Sequence, residues 1–318
     1  MYVVFAHMGF IPIPELAGRT DFISMAIRGL RGILFPGQPA VVVFFIISGF
    51  CIHYPFRAGQ SVPLAAYFLR RYLRIGLPLV ACLILAHWVE PDHSAYNLRA
   101  LNDAVLWSLV AEIIYYGLYP FLLPIIRRIG WTAALIAAYF AALSVMCIHP
   151  STGVYQHLGP SLAWVVGLPS WLLGCWLAES FGAPVPNTNR AIWAWRFLAC
   201  FCASSASALF FLAKIGYPWS LLLISWIFAQ WLKRELAWDS TRAPSRWLEW
   251  AGQWSYSLYL VHMVILTAWI RWGPGPQAER LEWAIRLGVV LLASLLFYLI
   301  VERPSHHFAR WLSQRAKK

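Results

Sequence analysis

The chain has 318 residues, of which 60% are hydrophobic and only 12% charged, and it carries 19 tryptophans and a net charge of +12. An ordinary soluble domain has about 25% charged residues, so this composition excludes a soluble enzyme or a free nucleic-acid-binding module and points to a polytopic membrane protein. Apolar runs recur from end to end, leaving no stretch for a soluble domain, a repeat array or a sizeable disordered tail, and a single membrane-embedded domain over 1–318 is expected.

A membrane helix needs roughly 20 apolar residues. By that rule ten crossings are expected, over about 1–13, 37–54, 75–89, 104–126, 131–148, 160–179, 191–213, 217–232, 247–270 and 283–302. The first, MYVVFAHMGFIPIP, is too short to span and holds His7 in its middle; a cleavable signal peptide is not expected there, because a basic leader and a small-residue cleavage site are missing. Pro169 is expected to interrupt the sixth crossing. Between Glu15 and Pro36, the positions Phe22, Met25, Ile27, Leu30 and Ile33 recur at roughly helical spacing, which suits a helix lying in the membrane interface.

Basic residues near membrane ends report orientation. With the N-terminus inside, the inner connections hold 17 of the 25 lysines and arginines, leaving 8 outside. That bias puts both termini on the cytoplasmic side. The inner segment AAYFLRRYLRIG concentrates Arg70, Arg71 and Arg74 beside aromatic anchors, a pattern that serves topology and lipid headgroups as well as a ligand.

Four patterns carry chemistry. In VVVFFIISGFCI, Ser48 and Gly49 allow close approach of another backbone or of a ligand, and plain helix packing fits them equally. In WSLVAEIIYYGLYP, Glu112 lies inside a membrane helix, where an unpaired charge costs at least ~2.5 kcal/mol. It therefore needs a partner, a proton or a water-filled cavity, and one of Tyr115 and Tyr116 shares its face. In GQWSYSLYLVHMVIL, Tyr256, Tyr259 and His262 recur every third residue and suit one wall of a cavity. His7, as a neutral imidazole, is able to take a proton from a hydroxyl and return it to a leaving thiolate. The six cysteines all fall in apolar runs without metal-ligand spacing, so neither a disulfide framework nor a metal site is expected.

Taken in order, the segment with His7, FFIISGF, RRYLR, WSLVAEIIYYGLYP, SYSLYLVH and VERP resemble the acyltransferase 3 family of integral membrane acyltransferases, which includes bacterial O-antigen, exopolysaccharide and Nod-factor O-acetyltransferases. The resemblance implies an all-α, polytopic transmembrane bundle of about ten helices in a bacterial-type inner membrane. It implies His7 as the essential first-helix histidine and Glu112 as a second catalytic residue. Arg70, Arg71 and Arg74, with Ser48, Gly49 and Phe50, become the expected donor-binding set. Trp107, Tyr115, Tyr116, Tyr256, Tyr259 and His262 become the expected acceptor-binding set. Family members generally take a cytoplasmic acyl-CoA, commonly acetyl-CoA, as donor rather than a resident cofactor, and they acylate a glycan or lipid-linked sugar. They also carry a basic residue well before the first-helix histidine. Only six residues precede His7, so the first helix is expected to be a truncated one. A membrane transporter or an accessory subunit of polysaccharide export is the competing reading, since a buried glutamate and an aromatic cavity serve transport equally.

Overall fold

A computed structural model describes residues 1–9, 11–13, 36–89, 105–182, 188–240, 245–273 and 279–315, with position 242 and scattered positions from 21 to 34. Among these residues the regular elements are all helical. The helices are α1 (Tyr2–Met8), α2 (Gly37–His53), α3 (Leu64–Val89), α4 (Trp107–Ile129), α5 (Trp131–Ile148), α6 (Gly159–Glu179), α7 (Asn189–Ala213), α8 (Tyr217–Asp239), α9 (Arg246–Gln253), α10 (Ser255–Trp272), α11 (Glu279–Phe297) and α12 (Arg303–Arg315). Of the interfacial segment, Phe22 and Met25 lie outside the described residues, whereas Ile27, Leu30 and Ile33 are helical. Lys317 and Lys318 also lie outside them.

Among the described residues seven helical stretches are long and apolar enough to cross a membrane: Gly37–Phe56, Leu64–Val89, Trp107–Ile129, Trp131–Ile148, Tyr155–Glu179, Asn189–Ala213 and Glu279–Arg315. The remaining three expected crossings are helical without reaching that standard. Helix α1 has 7 residues. Helix α8 is 23 residues long but ends in charged side chains. The stretch 247–270 divides at Trp254 into α9 and α10. Pro169, expected to interrupt the sixth crossing, instead sits inside a continuous α6. A membrane helix tolerates proline where packed neighbours and local adjustment make good the lost backbone bond.

The chain splits into two compact units. The first comprises Met1–Gly32, Pro63–Leu106 and Ser245–Lys318. In it α10 packs on α11, α3 on α12 and α1 on α10. Its core gathers Val4 and Met8 of α1 with Trp254, Leu258, Leu266 and Val290. A π turn over Tyr298–Glu302 joins α11 to α12, and the extra residue in such a turn shifts the face that the next helix presents.

The second unit comprises Ile33–Val62 and Trp107–Pro244. Its tightest contact is α2 against α6. A Cβ on Gly49 would lie 1.9 Å from the Trp171 carbonyl oxygen, and one on Gly174 would lie 1.9 Å from that of Ile46. These glycines let two backbones touch, the usual device where lipid removes the hydrophobic drive for helix association. Around the crossing, Phe45, Ile46, Tyr115, Tyr119 and Trp171 are fully or almost fully buried.

Candidate active site

In the first unit, His7 Nδ1 lies 2.9 Å from His262 Nε2, and the two rings stack with centroids 5.1 Å apart. His262 is buried, and its Nδ1 faces the carbonyl oxygens of Tyr259 at 2.8 Å and Leu258 at 3.1 Å. Carbonyls only accept, so the His262 proton sits on Nδ1. In the neutral ring Nε2 is then an acceptor, and the hydrogen in the contact belongs to His7 Nδ1. That leaves the lone pair of His7 on Nε2, and His7 is exposed where His262 is not. Helix α1 is held for this by buried Val4 and Met8 on either side of His7. It is also held by Trp283, which donates to the Gly9 carbonyl at 3.0 Å and stacks on Phe5.

A second chain of contacts links the late motifs of this unit. Glu302 of VERP is buried and takes two hydrogen bonds on Oε2 from Ser257, one from the backbone N–H at 3.1 Å and one from the hydroxyl at 2.5 Å. Its Oε1 lies 3.5 Å from His306 Nε2. Arg74 Nε donates to that same imidazole nitrogen at 3.0 Å. Because the guanidinium is only a donor, His306 Nε2 is the acceptor and its proton sits on Nδ1. Arg70 and Arg71 stand about one turn before Arg74 on α3. Tyr256 and Tyr259 each donate to a backbone carbonyl, of Ile75 and Val105 respectively, both at 3.2 Å, and the Tyr259 ring lies 6.2 Å from that of His262.

The second unit holds the other predicted residues. Glu112 is buried, and its Oε1 accepts from the Ser48 hydroxyl at 2.8 Å and from the Tyr116 hydroxyl; the two hydroxyls are 3.3 Å apart. Of the tyrosine pair, Tyr116, four residues on, is therefore the one beside the acid. Tyr115 turns to α6 and donates to the Trp164 carbonyl at 2.7 Å. Trp107 stacks on Tyr155 at 5.5 Å and meets Phe45 edge-on at 6.0 Å. Phe50 packs edge-on against Phe181 at 5.8 Å, and Gly49 lies in the α2–α6 crossing.

Four polar positions were not assigned roles from the sequence. Glu302 and its partner Ser257 stand inside motifs already singled out, and an acid closing an apolar run is the signal that marks the first. His306 gives no such signal, because α12 is rich in polar residues. His53 is buried and bonds Tyr119 at 2.8 Å and Glu179 at 2.6 Å, a pairing of α2 with α4 and α6 that no local pattern carries. Among the described residues no group of three or more histidines, cysteines or acids is arranged to hold a metal ion.

Seven membrane-capable helices with buried histidine and glutamate clusters define an integral membrane protein. A family model described as an acyltransferase domain, of the acyltransferase 3 type, matches residues 1–301, and the chain belongs to that family; it is an acyltransferase. No curated protein and no solved structure matches it.

Proposed function

We propose that this protein is an O-acyltransferase of a bacterial-type inner membrane, with both termini cytoplasmic, that moves an acyl group, acetyl in the first instance, from acyl-CoA to a hydroxyl of a carbohydrate or lipid-linked glycan. The observation that carries the reading is the histidine pair. A proton fixed on His262 Nδ1 by two carbonyls directs the His7 lone pair to Nε2, which is the form a general base needs.

In the proposed step His7 Nε2 takes the proton of the acceptor hydroxyl as its oxygen attacks the thioester carbonyl carbon. Collapse of the adduct breaks the carbon–sulfur bond, and the thiolate of CoA leaves with the proton that His7 has held. The products are an ester and free CoA. His262 acts through His7 as a positioning residue. Arg70, Arg71 and Arg74 hold the phosphates of the donor, since guanidinium matches phosphate bidentately. Glu112, held by Ser48 and Tyr116, is the binding or orienting carboxylate of its own unit.

The test is transfer of label from radiolabelled acetyl-CoA into envelope glycans by membranes containing the protein, repeated with purified wild type and His7→Ala. Loss of transfer in a folded His7→Ala protein is the expected result. Undiminished transfer removes His7 as the base, and absence of transfer from acyl-CoA by the wild type removes the donor.

A further inference from the structure

Helix α12 lies beyond the residues that match the family, yet it packs along α3, the helix of the arginines. The two are joined by the Arg74 Nε to His306 Nε2 bond at 3.0 Å. Arg310, one turn beyond His306, turns back to it through Nε, 3.4 Å from the His306 carbonyl oxygen. The charges of Arg71, Arg74 and Arg310 all bear on Arg70, and those of Arg74 and Arg310 bear on His306. Arg70, Arg74 and Arg310 are exposed.

Topology alone requires basic residues near the inner membrane face, not their convergence from two helices more than two hundred positions apart. Cations brought together in this way repel one another unless an anion joins them. Among the described residues Glu302 lies beside His306; its Oε2 is occupied by Ser257 and it is buried. The charges of Glu302 and Arg74 attract one another, and the carboxylate reaches the cluster from the side of His306. His306, with Nε2 taken up by Arg74, keeps its proton on Nδ1 as a further donor.

We propose that His306 and Arg310 of α12 complete, with Arg70, Arg71 and Arg74 of α3, a two-helix site for phosphate, and that its occupant is the phosphorylated nucleotide end of the acyl-CoA donor. This rests on the donor named above. Phosphate also comes from lipid headgroups, so the measurement has to separate the two sources. The nucleotide is favoured because a site fixed by a hydrogen bond between helices suits one ligand in one pose, whereas headgroups need only diffuse charge.

Binding of CoA is measured by calorimetry on the full chain in nanodiscs of zwitterionic lipid, where headgroups bring no net charge to compete. The exposed position of Arg310 makes its replacement compatible with folding. Losing one charge-assisted phosphate contact in Arg310→Ala is expected to weaken CoA about tenfold, with Arg310→Lys recovering part of the loss. In turnover the same variant raises KM for the acyl donor and leaves kcat near the wild-type value. If Arg310→Ala binds CoA like the wild type while Arg74→Ala binds it weakly, the donor site on α3 stands and its extension to α12 falls. An Arg310→Ala protein that loses only co-purifying anionic lipid, with CoA affinity unchanged, likewise overturns the proposal. A wild type that fails to bind CoA overturns the proposal and the donor assignment together.

Discussion

Glu302 and Ser257 meet across 45 positions of the chain, and one carboxylate oxygen receives both the backbone N–H and the hydroxyl of the serine. The pairing ties the π turn at the end of α11 to the first turn of α10, the helix that carries His262. Glu302 is buried, so each lost donor leaves it short of a partner that water does not replace.

Ser257→Ala keeps the backbone bond and removes the hydroxyl, which at a buried charged acceptor costs about 1–3 kcal/mol. The expected outcome is a lowered unfolding temperature in detergent. A midpoint equal to that of the wild type would show that the hydroxyl contributes nothing to holding the carboxylate.

His262 fixes the tautomer of His7 by accepting at Nε2, so a replacement that still accepts there should preserve more activity than one that cannot. A glutamine amide oxygen reaches close to the place of Nε2, and a leucine offers nothing. General-base catalysis is worth about 10²–10⁴ in rate, and with His7 as the proposed base His262→Leu is expected to lose a substantial part of it in kcat at unchanged KM. His262→Gln should retain distinctly more. Equal losses in the two variants would make His262 a packing residue only.

Much of the membrane architecture is legible in the sequence, because apolar length is a local property. The crossings expected at 37–54, 104–126 and 131–148 agree to within about three residues with the helices Gly37–His53, Trp107–Ile129 and Trp131–Ile148. The prolines mislead: helix propensity argues against Pro169 in a helix interior, yet packing in α6 overrides it. What is read worst is pairing. The three-residue rhythm of Tyr256, Tyr259 and His262 suggests one wall, and nothing in it says that the two tyrosine hydroxyls reach different backbone carbonyls, of Ile75 and Val105. Neither that divergence nor the contact of His7 with His262, 255 positions away, has any counterpart in local spacing. Glu112 with Tyr116 is legible because both lie one turn apart on one helix, while Ser48, the third member, arrives from α2.

The two adjacent tyrosines of α4 provide a sharp internal comparison. Tyr116→Phe takes a hydroxyl donor from buried Glu112, and Tyr115→Phe takes a donor from the Trp164 carbonyl, which lies in a helix. The first should cost about 1–3 kcal/mol as a group lost to a buried charge, and the second nearer 1 kcal/mol as a neutral bond. Thermal unfolding of the two single variants side by side checks the order. A larger loss in Tyr115→Phe would contradict the network drawn around Glu112.

Gly49 sits in a motif expected to contact the donor, but its geometry makes a separate demand. A methyl group there would fall 1.9 Å from the Trp171 carbonyl oxygen and 3.2 Å from the Cys175 backbone nitrogen. Both are backbone atoms, so relief requires α2 and α6 to move apart along a contact that buries much of the second unit. Close packing is the principal attraction between helices in lipid, and Gly49→Ala is therefore expected to yield little folded protein, judged by a monodisperse peak on size-exclusion chromatography. Gly76 in α3 is the control: a Cβ there meets nothing within 4 Å. Replacing that helical glycine by alanine gains up to about 1 kcal/mol of helix propensity. Gly76→Ala should be recovered at least as well as the wild type. A well-folded Gly49→Ala protein that has lost only donor binding would reverse the assignment, making the glycine a contact for the ligand and not for α6.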